Sequence, residues 1–147
     1  AFNDCGIQMQ IQEIFYSVSH KNVIRGMHFQ TPPYDHDKLV HIIAGRVKDV
    51  IVDLRKDSLT YKEWIAVELV GGDKKYGYIP QGYGHAFLAL EDNTTQLFTI
   101  NEHFLEEEAK AIRYNDPQIE LEFPVEITVM SDRDRNAPLL EQLEIDR

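Results

Sequence analysis

"GRVKDVIVDLRKDSLTYKEWIAVELVGGDKKYGYIP", residues 45–80, decides the fold. Apolar and polar residues alternate along it, Val, Ile and Tyr are frequent, and "RKDS" (55–58) and "GGDKK" (71–75) interrupt the pattern as turns. A period of two with β-branched and aromatic residues predicts strands near Val47–Leu54, Tyr61–Val70 and Tyr76–Ile79. Upstream, "IQMQIQEIFY" (7–16) alternates in the same way. Downstream, "HAFLAL" (85–90) and "TQLFTI" (95–100) flank an Asp92-Asn93 turn and read as two further strands. Many short strands at even spacing argue for an all-β sandwich or barrel. Helix is expected only at "LEEEAKAI" (105–112), whose acids suit a helix N-terminus, and at "APLLEQLEI" (137–145).

At 147 residues the chain fits one domain, 1–147, with a core of its own. The 15 basic and 25 acidic residues give a net charge of −10, which disfavours nucleic acid or an anionic membrane as partner. No apolar run is long enough to cross a bilayer. Cys5 has no second cysteine to pair with, and "AFNDCGIQMQ" lacks the charged start and apolar run of a secretory signal, so a cytoplasmic setting is expected.

Within "IRGMHFQTPPYDHDKLVHIIAG" (24–45) lie His28, His36, Lys38 and His41. A metal held in a barrel wants two histidines two residues apart, so that both point from one face of a strand. No H-x-H occurs: the three histidines are spaced by eight (36 − 28) and five (41 − 36) residues, and no metal is expected. His36 and His41 read as exposed loop and strand-surface residues. In "IPQGYGHAF" (79–87), Pro80, Gly82 and Gly84 permit a tight approach of two strands, and His85 opens the next strand with its ring able to turn into a barrel mouth.

"NVIRGMHFQ" (22–30), "DKLVHIIAGRVKDVIVDLRKDS" (37–58), "IPQGYGHAF", "IRYNDPQIELEFP" (112–124) and "MSDRDRNAPLL" (130–140) resemble successive blocks of the nucleotide-diphospho-4-keto-6-deoxysugar 3,5-epimerases. The blocks run in order from about Gln12 to Leu140. The resemblance implies a double-stranded β-helix, that is, a cupin-like jelly-roll barrel with short C-terminal helices. It further implies a homodimer and a nucleotide-sugar substrate turned over without any cofactor. Carried over by position, it makes His28 the general base and Asp134 the carboxylate that orients it. Lys38 becomes the cation that stabilises the enolate oxygen; Arg25, His85 and Gln30 become substrate-binding residues. The chemistry is coherent, because a proton next to a ketone is acidic enough for imidazole once the developing oxyanion is stabilised.

The pattern departs from the family in places. The position matching the family's proton-returning tyrosine is Phe98, and phenylalanine has no proton to give. Tyr83 and Tyr34 are the candidate substitutes. No leading "D-x-R-G-x-F-x-E" motif precedes "IQMQIQEIFY", and Glu13 and Phe15 stand where polar amides usually meet the nucleotide. The expected activity is therefore epimerisation of an activated 4-keto-6-deoxysugar, with inversion at a single carbon as one form of it. A 4-keto-sugar-nucleotide ketoisomerase and a non-catalytic sugar-nucleotide binder remain as alternatives.

Overall fold

The structure is a computed structural model that describes residues 3–123 and 129–143. Its strands run β1 Glu13–Ser19, β2 Ile24–Gln30, β3 Lys38–Ala44, β4 Arg46–Asp53, β5 Trp64–Val70, β6 Gly77–Ile79, β7 Tyr83–Ala89, β8 Thr94–Ile100 and β9 Ala109–Ala111. They form two antiparallel sheets, a four-stranded one in the order β1-β8-β3-β6 and a five-stranded one in the order β5-β4-β7-β2-β9. Apart from β4 and β5, which pair within one sheet, strands adjacent in sequence alternate between the sheets, as in a jelly roll, and the two sheets face each other as walls of a cupin-like barrel.

Alternation sorts each strand between two apolar clusters. Val40, Ile42, Val47, Leu69, Ile79, Phe87 and Phe98 fill the space between the walls. Met27, Phe29, Val50, Val52, Leu54 and Ala86 point out of the back of the five-stranded sheet, where Ile112, Ile119, Leu121 and Leu140 from the C-terminal part cover them. That cover buries the back of the five-stranded sheet, whose cleft side carries both the apolar Val47, Leu69 and Phe87 and the polar His28 and His85.

The expected strands at 47–54, 76–79, 85–90 and 95–100 are present within a few residues, and the one expected from Tyr61 begins at Trp64. "IQMQIQEIFY" contributes strand only from Glu13, where pairing with β8 begins. The helix expected over 105–112 does not form. Its acids lie in a turn, and Ala109–Ala111 pair with β2, because that strand needs an edge partner and tertiary pairing outweighs helix propensity. The second expected helix is one 3₁₀ turn at Leu140–Gln142, and its last two residues, 144–145, lie outside the described residues. A single helical turn, α1 at Asp132–Arg135, occurs instead, with Ser131 Oγ accepting from the Asp134 amide at its start.

Candidate active site

β2 supplies the base candidate, and an irregularity in it shapes the site. Arg25 pairs with Phe87 and His28 with His85, with a register shift between them. In a regular strand, residues three apart point to opposite faces; the bulge brings both Arg25 and His28 onto the cleft face. Gly26 sits inside this bulge with φ +109°, and a Cβ there would lie 2.5 Å from the His85 carbonyl oxygen. Only glycine suits the position.

His28 Nε2 donates to Asp134 Oδ1 at 2.6 Å across 106 residues of sequence. The Asp134 side chain is 3 % exposed and that of His28 38 % exposed, so the carboxylate is buried behind a ring that meets the cleft. Asp134 Oδ2 accepts from the Gly26 amide at 3.1 Å. Burial by itself would raise the Asp134 carboxyl; the hydrogen bond and charge of His28, with the Gly26 amide, outweigh it and hold the group below its ordinary value. An ionised Asp134 fixes the proton on Nε2, so Nδ1 carries the lone pair available for proton abstraction.

Lys38 enters from the opposite wall, at the start of β3, with Nζ 5.8 Å from the centre of the Phe98 ring. Desolvation lowers its pKa to about 8, against the opposing charge of Asp49. Asp49 is buried; its Oδ1 accepts from His85 Nε2 at 2.7 Å and from Gln96 Nε2 at 3.4 Å. Burial also lowers the His85 pKa, with Asp49 opposing the shift. His85 is then a neutral imidazole whose Nε2–H is committed to Asp49.

These groups line one cleft of about 820 Å³, including space open to solvent, whose walls also hold Phe15, Ser17, Gln30 and Arg133. Arg25 Nε donates to Ser19 Oγ at 3.1 Å, and an Arg133 guanidinium nitrogen donates to the Ala109 carbonyl at 2.9 Å. Neither is in an ion pair among the described residues, so two guanidinium charges remain for an anion in a chain of net charge −10. Phe15 stacks on Phe98 (centroids 5.0 Å apart, 14° between planes) and touches Phe104 at 6.0 Å, forming an aromatic shelf beside the arginines.

The cleft thus brings together His28, Lys38, Arg25, His85, Gln30 and Phe98, with Asp134 behind His28. Gln30 is largely committed to the scaffold: its Nε2 donates to the Tyr34 carbonyl at 2.7 Å and its Oε1 accepts from the Leu105 amide at 3.2 Å. Tyr83 lines a small adjoining recess with His28 and Lys38, and its hydroxyl accepts from Arg55 at 2.8 Å. His36 is not a plain loop histidine but lines the cleft, and desolvation, with Lys38 nearby, lowers its pKa to about 4. His41 lies outside the barrel, stacked on Tyr76 at 4.4 Å. No three His, Cys, Asp or Glu side chains come together to hold a metal among the described residues. The readings from sequence missed Asp49, Gln96, His36 and Arg133. The signal for Asp49 was available, since in "VKDVIVD" it shares the inward phase of Val47 and Ile51.

The fold and site define a cupin-like barrel with a histidine–carboxylate dyad on one wall, a desolvated lysine on the other, and arginines at the mouth. Residues 1–142 match the family model described as dTDP-4-dehydrorhamnose 3,5-epimerase, and the chain belongs to that family. It is 35 % identical over 131 residues to the dTDP-4-dehydrorhamnose 3,5-epimerase of Shigella flexneri, covering 89 % of this chain and 72 % of that one. To the enzyme of the same name from Methanothermobacter thermautotrophicus it is 37 % identical over 138 residues (92 % and 74 %). Among solved structures, the dTDP-6-deoxy-D-glucose-3,5-epimerase of Legionella pneumophila, in complex with dTDP-4-keto-L-rhamnose, superposes with a TM-score of 0.91 at 33 % identity (97 % of this chain, 76 % of that one). A 4-keto-6-deoxy sugar epimerase from the novobiocin cluster of Streptomyces spheroides gives 0.89 at 30 % identity (96 % and 71 %).

Proposed function

We propose that this chain, acting as one cupin-like domain, epimerises a nucleotide-activated 4-keto-6-deoxysugar by removing a proton next to the ketone, without a cofactor. The observation that carries the reading is the His28–Asp134 pair facing Lys38 across a cleft with two arginines that, among the described residues, are free of ion pairs. In this mechanism His28 Nδ1 takes the proton, Asp134 stabilises the imidazolium that forms, and the Lys38 charge lies where the enolate oxygen develops. Arg25 and Arg133 suit the diphosphate, since guanidinium groups pair bidentately with phosphate oxygens. The Phe15–Phe98–Phe104 shelf offers aromatic area for a base or sugar face. The dTDP ligands of the related structures support a thymidine nucleotide.

A homodimer is part of the proposal. Strand β1 lies at a sheet edge, with Ile14, Tyr16 and Val18 exposed. An open, apolar edge favours pairing with a second copy, which light scattering on the purified chain tests directly. The cytoplasm is the proposed location, where the unpaired Cys5 is compatible with reducing conditions.

Incubation with dTDP-4-keto-6-deoxyglucose in heavy water tests the reaction. Deuterium enters at a carbon adjacent to the ketone, an inverted sugar accumulates, and His28→Asn abolishes both. Labelled but isomerised rather than inverted product gives the ketoisomerase instead. Unlabelled substrate with intact binding leaves only a nucleotide-sugar binder.

A further inference from the structure

Inversion at a carbon requires that the proton leave one face of the sugar ring and another arrive on the opposite face. His28 stands on β2 of the five-stranded wall. The opposite wall presents Phe15 and Ser17 from β1, Lys38 from β3 and Phe98 from β8, with His36 in the loop before β3. Among the described residues, no tyrosine lines the main cleft. The Tyr83 hydroxyl, in the adjoining recess, is bonded to Arg55, on which the Tyr83 ring also packs, 4.7 Å from its centre to the guanidinium carbon.

We propose that Lys38 is the proton donor to the face of the sugar opposite His28. This assignment rests on the epimerase reading above. Lys38 Nζ lies over the inward ring of Phe98, so the ammonium occupies the wall facing His28. It has no carboxylate within salt-bridge distance among the described residues, and its protons are not tied up in an ion pair. The other groups on that wall are poor donors. Ser17 carries an ordinary hydroxyl, and His36, with its pKa near 4, is a neutral imidazole at working pH. A lysine with its pKa brought down to about 8 holds a proton at neutral pH and releases it readily, which is the match required of a general acid.

The step balances. At the first carbon the C–H bond breaks, its proton passes to His28 Nδ1, and its electron pair forms the enolate. The enolate C=C pair then takes a proton from Lys38 Nζ on the other face, a new C–H bond forms, and the ketone is restored. The site is left with an imidazolium and a neutral amine, and exchange with solvent resets both. The ionisable groups facing Lys38 are His28 from β2, Asp49 from β4, Tyr83 and His85 from β7, and Asp35 and His36 from the preceding loop. Asp49 is the carboxylate that favours retention of the lysine proton, against the desolvation of its site.

The test separates inversion from exchange in heavy water with dTDP-4-keto-6-deoxyglucose, measuring both by NMR. Lys38→Arg keeps a positive charge beside the enolate but removes a usable acid, since guanidinium does not give up its proton near neutral pH. The expected result is that, whatever exchange rate Lys38→Arg retains, its ratio of inversion to exchange falls by about 100-fold or more. Adding Phe98→Tyr, which puts a hydroxyl on the same wall, restores the ratio. A ratio unchanged within about threefold in Lys38→Arg overturns the assignment, because that change is far below the range for a general acid. Should Lys38→Arg not fold, the unmodified protein decides: its ratio falls above about pH 8 if Lys38 is the donor, and a ratio flat from about pH 6 to pH 10 overturns it. Absence of exchange in the unmodified protein removes the epimerase reading itself, and the donor role with it.

Discussion

Asp134→Asn probes the dyad most sharply, because the carboxylate accepts on both oxygens. Oδ2 takes the Gly26 N–H and Oδ1 takes the His28 Nε2–H. An asparagine has one oxygen and one NH₂. If its oxygen stays with the fixed Gly26 amide, its NH₂ faces Nε2, which must then become the acceptor. The ring proton moves to Nδ1, the nitrogen that faces the substrate, and the base is lost. The same tautomer error in a serine-protease triad costs about 10⁴-fold in turnover, and a drop of at least about 10³-fold is expected here. With the Asp134 side chain 3 % exposed, losing one charge-assisted hydrogen bond is expected to lower stability by about 1.5–3 kcal/mol. The folded-state pKa of Asp134 is depressed, so its contribution is present above the unfolded value near 3.9 and is lost as pH falls through the folded value. The stability gap between parent and variant therefore narrows below about pH 4. Deuterium wash-in gives the rate and urea unfolding at several pH values gives the stability. A folded Asp134→Asn that exchanges within about tenfold of the parent would refute the base-and-orienter logic.

Asp53 is buried and accepts from Arg55 at 2.7 and 2.9 Å, and from Ser58 and Thr60 at 2.6 Å each; these bonds outweigh burial and hold its carboxyl well below the usual range. Asp53→Ala should cost about 3 kcal/mol in urea unfolding at neutral pH, with the difference shrinking under acid as the parent carboxyl protonates. Gly26→Ala drives a methyl group against the β7 backbone at 2.5–2.8 Å, and should lower stability by roughly 2–4 kcal/mol with a large loss of exchange, because the displaced Gly26 amide is the one that holds Asp134. Lys38→Ala should reduce kcat by at least about 100-fold while changing KM little, since the charge it meets exists mainly in the transition state. A rise in KM with kcat unchanged would make Lys38 a phosphate anchor.

β8 was legible because buried and half-buried positions alternate along it, and β7, buried at all but its first residue, because it is a short apolar run that follows a turn. β2 and β3 were less so. β2 is buried at most positions, since the C-terminal segment covers its back while the four-stranded sheet faces its front, and burial on both faces erases the period of two. The failed helix at 105–112 had the composition of a helix, yet its backbone donors and acceptors were needed at the open edge of β2. A local pattern carries no sign of an unpaired edge elsewhere in the fold.

The site was legible through resemblance more than through spacing. His28 and Asp134 are 106 residues apart, and nothing local couples them; the bond depends on a one-turn helix placed against β2. Arg25 and His28 illustrate the same limit at short range, because a regular strand would have put them on opposite faces and only the bulge at Gly26 unites them. Gly26 therefore joins fold to chemistry in three ways: it permits the bulge, it allows β7 to approach, and its amide helps hold Asp134 ionised. An ionised Asp134 sets the His28 tautomer, and so the lone pair in the cleft originates in a residue with no side chain.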